Sequence, residues 1–212
     1  KFLLSSFVIT SVFAFWYTQI DINNANYLSD KWIITSQPTT TGYRLDDTIT
    51  RAEVAGIALK LRGTTFPEWY ICKKYFSDVT SNDWICRAVE MAADAGFVSR
   101  TNTTFRPQDK ITRAEALSIM IKAGWLSVNN ISGYTSGTEG VISDTQIQWQ
   151  REVFNIGFSL NIINKSSLKT EILTGEMGWL KYYFYPDRDA TRAEVYKKKK
   201  NILEYKAIMS GE

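Results

Sequence analysis

Histidine is absent from this 212-residue chain, and that gap removes whole classes of chemistry. Without an imidazole there is no Ser-His or Cys-His nucleophile pair and no histidine-ligated metal. Cys72 and Cys86 are the only cysteines, too few for a four-thiolate zinc site. Two readings of that pair stand side by side: a disulfide closing a loop ahead of a helix, worth roughly 3 kcal/mol in an exported chain, or two buried thiols. Prolines number four, and the twelve glycines are scattered rather than gathered in a phosphate-cradling loop. Charge of one sign is also lacking, since 25 Lys and Arg against 22 Asp and Glu leave only +3. The basic residues are not interleaved with the aromatic platform that nucleic-acid binding uses, so no nucleic-acid partner is expected. Asp46, Asp47, Asp109, Asp187 and Asp189 lie in separate loops, placed for turning and for balancing nearby arginines. A glycosidase needs its acid pair in one cleft. No catalytic residue, metal or cofactor is expected.

Strongly apolar sequence is concentrated at the start. Phe2–Phe13 follows a lone Lys1, and Val12-Phe13-Ala14 fits a small-residue cleavage pattern, which is the profile of an export signal. A membrane span needs roughly 20 apolar residues, and this run approaches that only if counted to Ile20. Residues 1–20 therefore read as a signal peptide or as a retained anchor, with membrane or subunit contact through residues 2–20. Both readings send the protein out of the cytoplasm.

What the chain has in abundance is internal repetition. Thr-Arg-Ala-Glu occurs at 50–53, 112–115 and 191–194. Each copy reads as a capping box, the Thr hydroxyl accepting from the third helical N–H and the Glu reaching back to the Thr N–H. The arginine is not explained by capping, because a cation at the first helical position opposes the macrodipole by roughly 0.3–1 kcal/mol. Three such placements imply an anion nearby, internal or external. An aromatic stands eight positions before each arginine: Tyr43, Phe105 and Phe184. Phe76-Ser77-Asp78-Val79, Trp84 and Ala88-Val89 align with Ile142-Ser143-Asp144, Trp149 and Glu152-Val153. From Trp84, the positions Ala88, Met91, Ala92 and Ala95 keep helical spacing, and Gly96-Phe97-Val98 ends that helix and starts a short extended piece. The second helix of the middle unit turns Ala116, Leu117, Met120 and Ile121 inward. Repetition on this scale means one composite domain, since units of about 60 residues bury too little surface alone.

These motifs resemble the S-layer homology family, most closely from Phe76 through Ile111-Thr112-Arg113-Ala114-Glu115 and more weakly in the outer units. The resemblance implies a mainly α fold: three helix-loop-helix repeats in a pseudo-threefold bundle with short extended segments in the loops. It divides the chain into repeats at 21–63, 76–126 and 142–206, with a flexible connector at 127–141 and an insertion at 166–183. It also implies binding of an anionic, often pyruvylated, secondary cell-wall polysaccharide or peptidoglycan-linked acidic glycan at the cell surface. The implied ligand residues are Arg51, Arg113 and Arg192, with Thr50 and Thr112 at the same helix starts and free N–H groups adding positive potential. Trp84, Trp149 and Tyr43 are candidates to stack on a sugar face, core packing being the simpler role for the two tryptophans. For the arginines the alternative is an internal pair, Asp47 and Asp109 each lying four positions before theirs.

The clearest departure is Lys197–Lys200. Tyr196, Lys199 and Lys200 occupy the places of Leu117, Met120 and Ile121, which reads as a solvated, degenerate third helix or a basic surface for anionic polymer. Either reading weakens the case for a third working groove. Two functions follow. One is a non-catalytic module anchoring a protein or layer to wall polysaccharide. The other is a structural subunit of a surface layer or filament, self-assembling through the hydrophobic N-terminus.

Overall fold

The computed structural model describes residues 7–34, 42–79, 83–126, 141–145, 147–163, 168–172 and 180–211, with side chains at 7–18, 141–143, 172, 180 and 181 excepted. The expected connector falls almost wholly outside these residues. The fold is mainly α. Helices α1 (Phe7–Asp30), α2 (Arg51–Leu61), α3 (Trp84–Asp94) and α4 (Arg113–Ala123) come first, followed by strand β1 (Val141–Ser143). Helix α5 (Gln148–Ser159), strands β2 (Lys169–Ile172) and β3 (Leu180–Tyr183), and helix α6 (Arg192–Ser210) complete the chain.

Three of these helices, α2, α4 and α6, start at the repeated tetrapeptide, and each shows the full capping box at Thr50, Thr112 or Thr191. They pack on one another, and each carries one outer helix: α3 lies on α2, α5 on α4 and α1 on α6. The outer helix of each unit thus leans on the central helix of the preceding unit. The first unit's outer helix closes the ring against the last. Helix α1 crosses the expected boundary at residue 20, and its Asp21, Ala25 and Leu28 are buried. Among the described residues no helix is long and apolar enough to cross a membrane.

The core fills from the periodic positions. Ala116, Leu117, Met120 and Ile121 are all buried, as are Ala88 and Ala92 of α3, whereas Ala95 is exposed. Residues 97–98 bend rather than form a strand. Extended structure lies instead in one three-stranded sheet, order β1-β3-β2, with β1 parallel and β2 antiparallel to β3. Two of its strands come from the third unit's insertion. Cys72 and Cys86 are bonded, tying the loop after α2 to the first turn of α3.

Candidate functional site

At the helix starts, the three units are linked in a closed cycle of backbone hydrogen bonds. Ile49 N–H donates to the Ala190 carbonyl, Ile111 to Ile49, and Ala190 to Ile111, at 2.8–3.2 Å. One turn out, the N–H groups of Arg51, Arg113 and Arg192 donate to the carbonyls of Asp109, Arg188 and Asp47. Those of Ala52, Ala114 and Ala193 donate to Pro107, Pro186 and Leu45. The loop of each unit therefore satisfies the first amides of the helix in the unit before it. This corrects the expectation that these N–H groups stand open to a ligand. Burying a helix end without partners is costly, and the adjacent loop is the nearest source of carbonyls.

The arginines follow the same cycle. Arg51 Nη1 donates to Glu115 Oε1 at 2.8 Å, Arg113 pairs with Glu194, and Arg192 pairs with Glu53. The anion implied by a cation at the first helical position is internal, and it is not the aspartate four residues upstream. Asp47 pairs with Arg44 instead, and Asp109 lies 3.7 Å from Arg106. The guanidiniums of Arg51 and Arg113 lie 5.1 and 5.0 Å from the ring centres of Phe105 and Phe184, so the aromatic eight positions before one arginine serves the arginine of the preceding unit. The three side chains keep only 14, 12 and 10 % of their surface exposed. Burial alone would raise Glu194, but Lys198, Arg113, the Thr191 amide and Arg188 hold its carboxyl below the ordinary value.

The loops that supply the carbonyls are themselves held by residues that sequence reading aligned but left without a role. Asp78 accepts from the N–H groups of Phe105 and Arg106, and Asp144 from those of Phe184 and Tyr185, at 2.7–2.9 Å. The following residue takes a left-handed backbone in all three units, at Arg44, Arg106 and Tyr185.

Trp84 and Trp149 are not core residues. They keep 51 and 40 % of their surface exposed, each sitting in the first turn of an outer helix. Tyr43 is half-buried, its hydroxyl donating to Asn26 at 2.9 Å. Thr50 and Thr112 are half-buried and spent on capping.

Trp84 and Arg192, from different units, meet in one groove of about 530 Å³ running along α2. Ile33 and Ile34 form one side, Phe66 and Trp84 another; Glu53, Gly56, Ile57 and Lys60 of α2 and Arg192 and Tyr196 of α6 complete it. Burial opposes the charge on Arg192, but the Tyr196 hydroxyl and Glu53 outweigh it and push its pKa up. The third unit's arginine is thus the one that faces this groove, which runs along α2 and not along the third unit's own helix. Lys60, Tyr196 and Gly56 were not singled out as site residues in the sequence, since nothing local marks them.

The basic run is corrected as well. Lys198 and Lys199 are 6 and 0 % exposed, and Lys199 Nζ donates to the Ile57 carbonyl at 2.8 Å. Burial lowers these amines to about 8 and about 6.

A set of cyclically linked capping-box helices defines a class of repeat modules. Residues 75–117 match the S-layer homology domain. The amylopullulanase of Thermoanaerobacterium thermosulfurigenes is 33 % identical over 161 residues, covering 74 % of this chain and 8 % of that protein. Exoglucanase XynX of Acetivibrio thermocellus is 33 % identical over 161 residues, 74 % of this chain and 13 % of its own length. The middle cell wall protein of Brevibacillus brevis is 29 % identical over 132 residues, 61 % of this chain and 12 % of that protein. The chain thus spans about a tenth of the length of these relatives. It carries an S-layer homology domain, a binding module of the cell envelope, and its location is the cell surface.

Proposed function

We propose that the chain is a non-catalytic anchor that holds a protein or layer to the envelope by gripping an anionic wall polysaccharide, its outer units being S-layer homology repeats like the middle one. The observation that carries this reading is the groove along α2, where an exposed indole, Lys60 and the Arg192 guanidinium converge. An indole face suits the apolar face of a sugar ring, and the Lys60 ammonium suits a carboxylate such as a pyruvyl group. Arg192 is paired with Glu53 in the same groove, so Lys60 is the cation left to reach the ligand. Several shallow grooves on one polymer gain strength through effective concentration. Helix α1, seated on α6 as α3 is on α2, is the outer helix of the first repeat, which sets its second half apart from an export signal.

The test is retention on cell walls of Thermoanaerobacterium thermosulfurigenes, untreated and stripped of polysaccharide. The wild-type chain is expected to sediment with the untreated walls only. Trp84→Ala and Lys60→Ala, both at groove positions outside the arginine–glutamate ring, should each weaken retention by roughly tenfold with helicity unchanged. Full retention by the double variant would refute the groove as the site.

A further inference from the structure

Gly56 is an interior helix residue, and glycine there weakens a helix relative to alanine. Packing does not require it: a Cβ would meet Ala88 Cβ at 3.7 Å and Phe66 Cζ at 3.8 Å, ordinary contact distances. The residue lines the groove, so its missing side chain leaves that floor open. The equivalent places, five residues beyond the motif arginine, hold Ser118 on α4 and Lys197 on α6. Lys197 is half-buried and lies within electrostatic reach of Asp21 on α1, a carboxyl that is 4 % exposed and has Asp46 and Glu194 close enough to repel it. Where Trp84 opens α3 and Trp149 opens α5, the corresponding place on α1, counted back from the left-handed residue after each helix, is Ile20. On α6, therefore, the floor position holds a long side chain within reach of Asp21, and the place that holds an indole on α3 and α5 holds Ile20 on α1.

We infer that the residue five places beyond each motif arginine grades the three inter-unit faces, so that the polymer seats chiefly along α2, less along α4, and is turned away from α6. This rests on the anchoring reading and assigns Gly56 as the residue that determines which face is occupied. It keeps the expectation that the degenerate third helix lines no working groove. The third unit's arginine serves the open groove, and its own helix forms the closed face. The direct acceptor of a negative sugar is the α2 groove because its open floor lies beside Lys60, the cation there beyond the Arg192–Glu53 pair. On α6 the floor position is filled by Lys197, whose charge is met by the buried Asp21.

The experiment places one residue, leucine, at the three positions in turn. Affinity for untreated Thermoanaerobacterium thermosulfurigenes walls is read by depletion from solution, with circular dichroism checking the fold. Gly56→Leu is expected to weaken binding by roughly tenfold, Ser118→Leu by less, and Lys197→Leu by under about twofold. Equal losses at Gly56 and Lys197, or a loss only at Lys197, would overturn the grading on a chain that still binds. A wild-type chain that ignores untreated walls overturns the anchoring reading itself, a distinct result. If Gly56→Leu loses its helicity, Gly56→Ser, copying α4, is read instead: about two- to threefold weaker binding supports the grading and unchanged binding overturns it.

Discussion

Each motif glutamate divides its two oxygens between its own helix cap and an arginine of the preceding unit. One oxygen of Glu115 accepts from the Thr112 N–H and closes the cap, while the other accepts from Arg51 of the preceding unit. Exchanging Glu115 for Gln leaves the side chain's shape but strands a guanidinium that is mostly buried. We expect a loss of about 2–3 kcal/mol in urea unfolding, and partial recovery when Arg51→Met is added. Lys199 is the opposite case, a buried cation position without a carboxylate to answer it. The unfolded chain holds this proton up to about pH 10.5, whereas the folded chain releases it at about 6. Folding therefore expels a proton between those values, and stability rises with pH across that window. Lys199→Met, which copies Met120 of the middle unit, should raise stability by about 1–4 kcal/mol near pH 7 and flatten the rise in melting temperature between pH 6 and 9. An unchanged slope in that variant would place the titrating group elsewhere. The cap was legible because all its atoms lie within four residues. The arginines' partners were not, since they stand 64, 81 and 139 positions away.

At the level of elements, glycine separates packing from function. Gly124 ends α4, and a Cβ there would stand 2.8 Å from Ile202 Cγ2 of α6, closer than carbon atoms approach. Gly56 has room for a methyl group. Gly124→Ala should accordingly cost about 1–3 kcal/mol and Gly56→Ala gain up to about 1 kcal/mol, both measured by thermal unfolding. The disulfide between Cys72 and Cys86 fixes the loop from α2 to α3, with the buried Glu90 accepting the N–H groups of Lys73 and Tyr75 beside it. Replacing both cysteines by serine should cost roughly 3 kcal/mol. Helix starts and the inward face of α4 could be read from periodicity, and the mainly α class from the family resemblance. Which way the tryptophans face could not, because an indole in a first turn has the same hydrophobicity whether it meets a neighbour or a groove. The lysine run misled for a related reason. Alignment put Lys199 at a core position, but composition argued for solvent, and only the α2 carbonyl facing it shows how the amine is accommodated.

Across the whole molecule, the repeat seen in sequence is not the unit that packs. Helices α3 and α4 belong to one stretch of chain, yet α3 lies on α2, and α4 receives α5. The same displacement runs through the backbone cycle of Ile49, Ile111 and Ala190 and through the three arginine–glutamate pairs, which join first unit to second, second to third and third to first. Closing the cycle needs α1 on α6, so an element that reads by composition as an export signal or anchor completes the ring at its buried end. Cooperative stability should then belong to the ring and not to any repeat. A fragment spanning residues 75–126, which contains the whole family match, leaves the buried face of α3 without α2, the core face of α4 without α5 and α6, and Arg113 without Glu194. It is expected to show little helicity by circular dichroism, while the full chain melts in a single calorimetric transition. A fragment that folds alone, or a full chain that melts in three steps, would mean that the contacts within each repeat outweigh the cyclic ones between them.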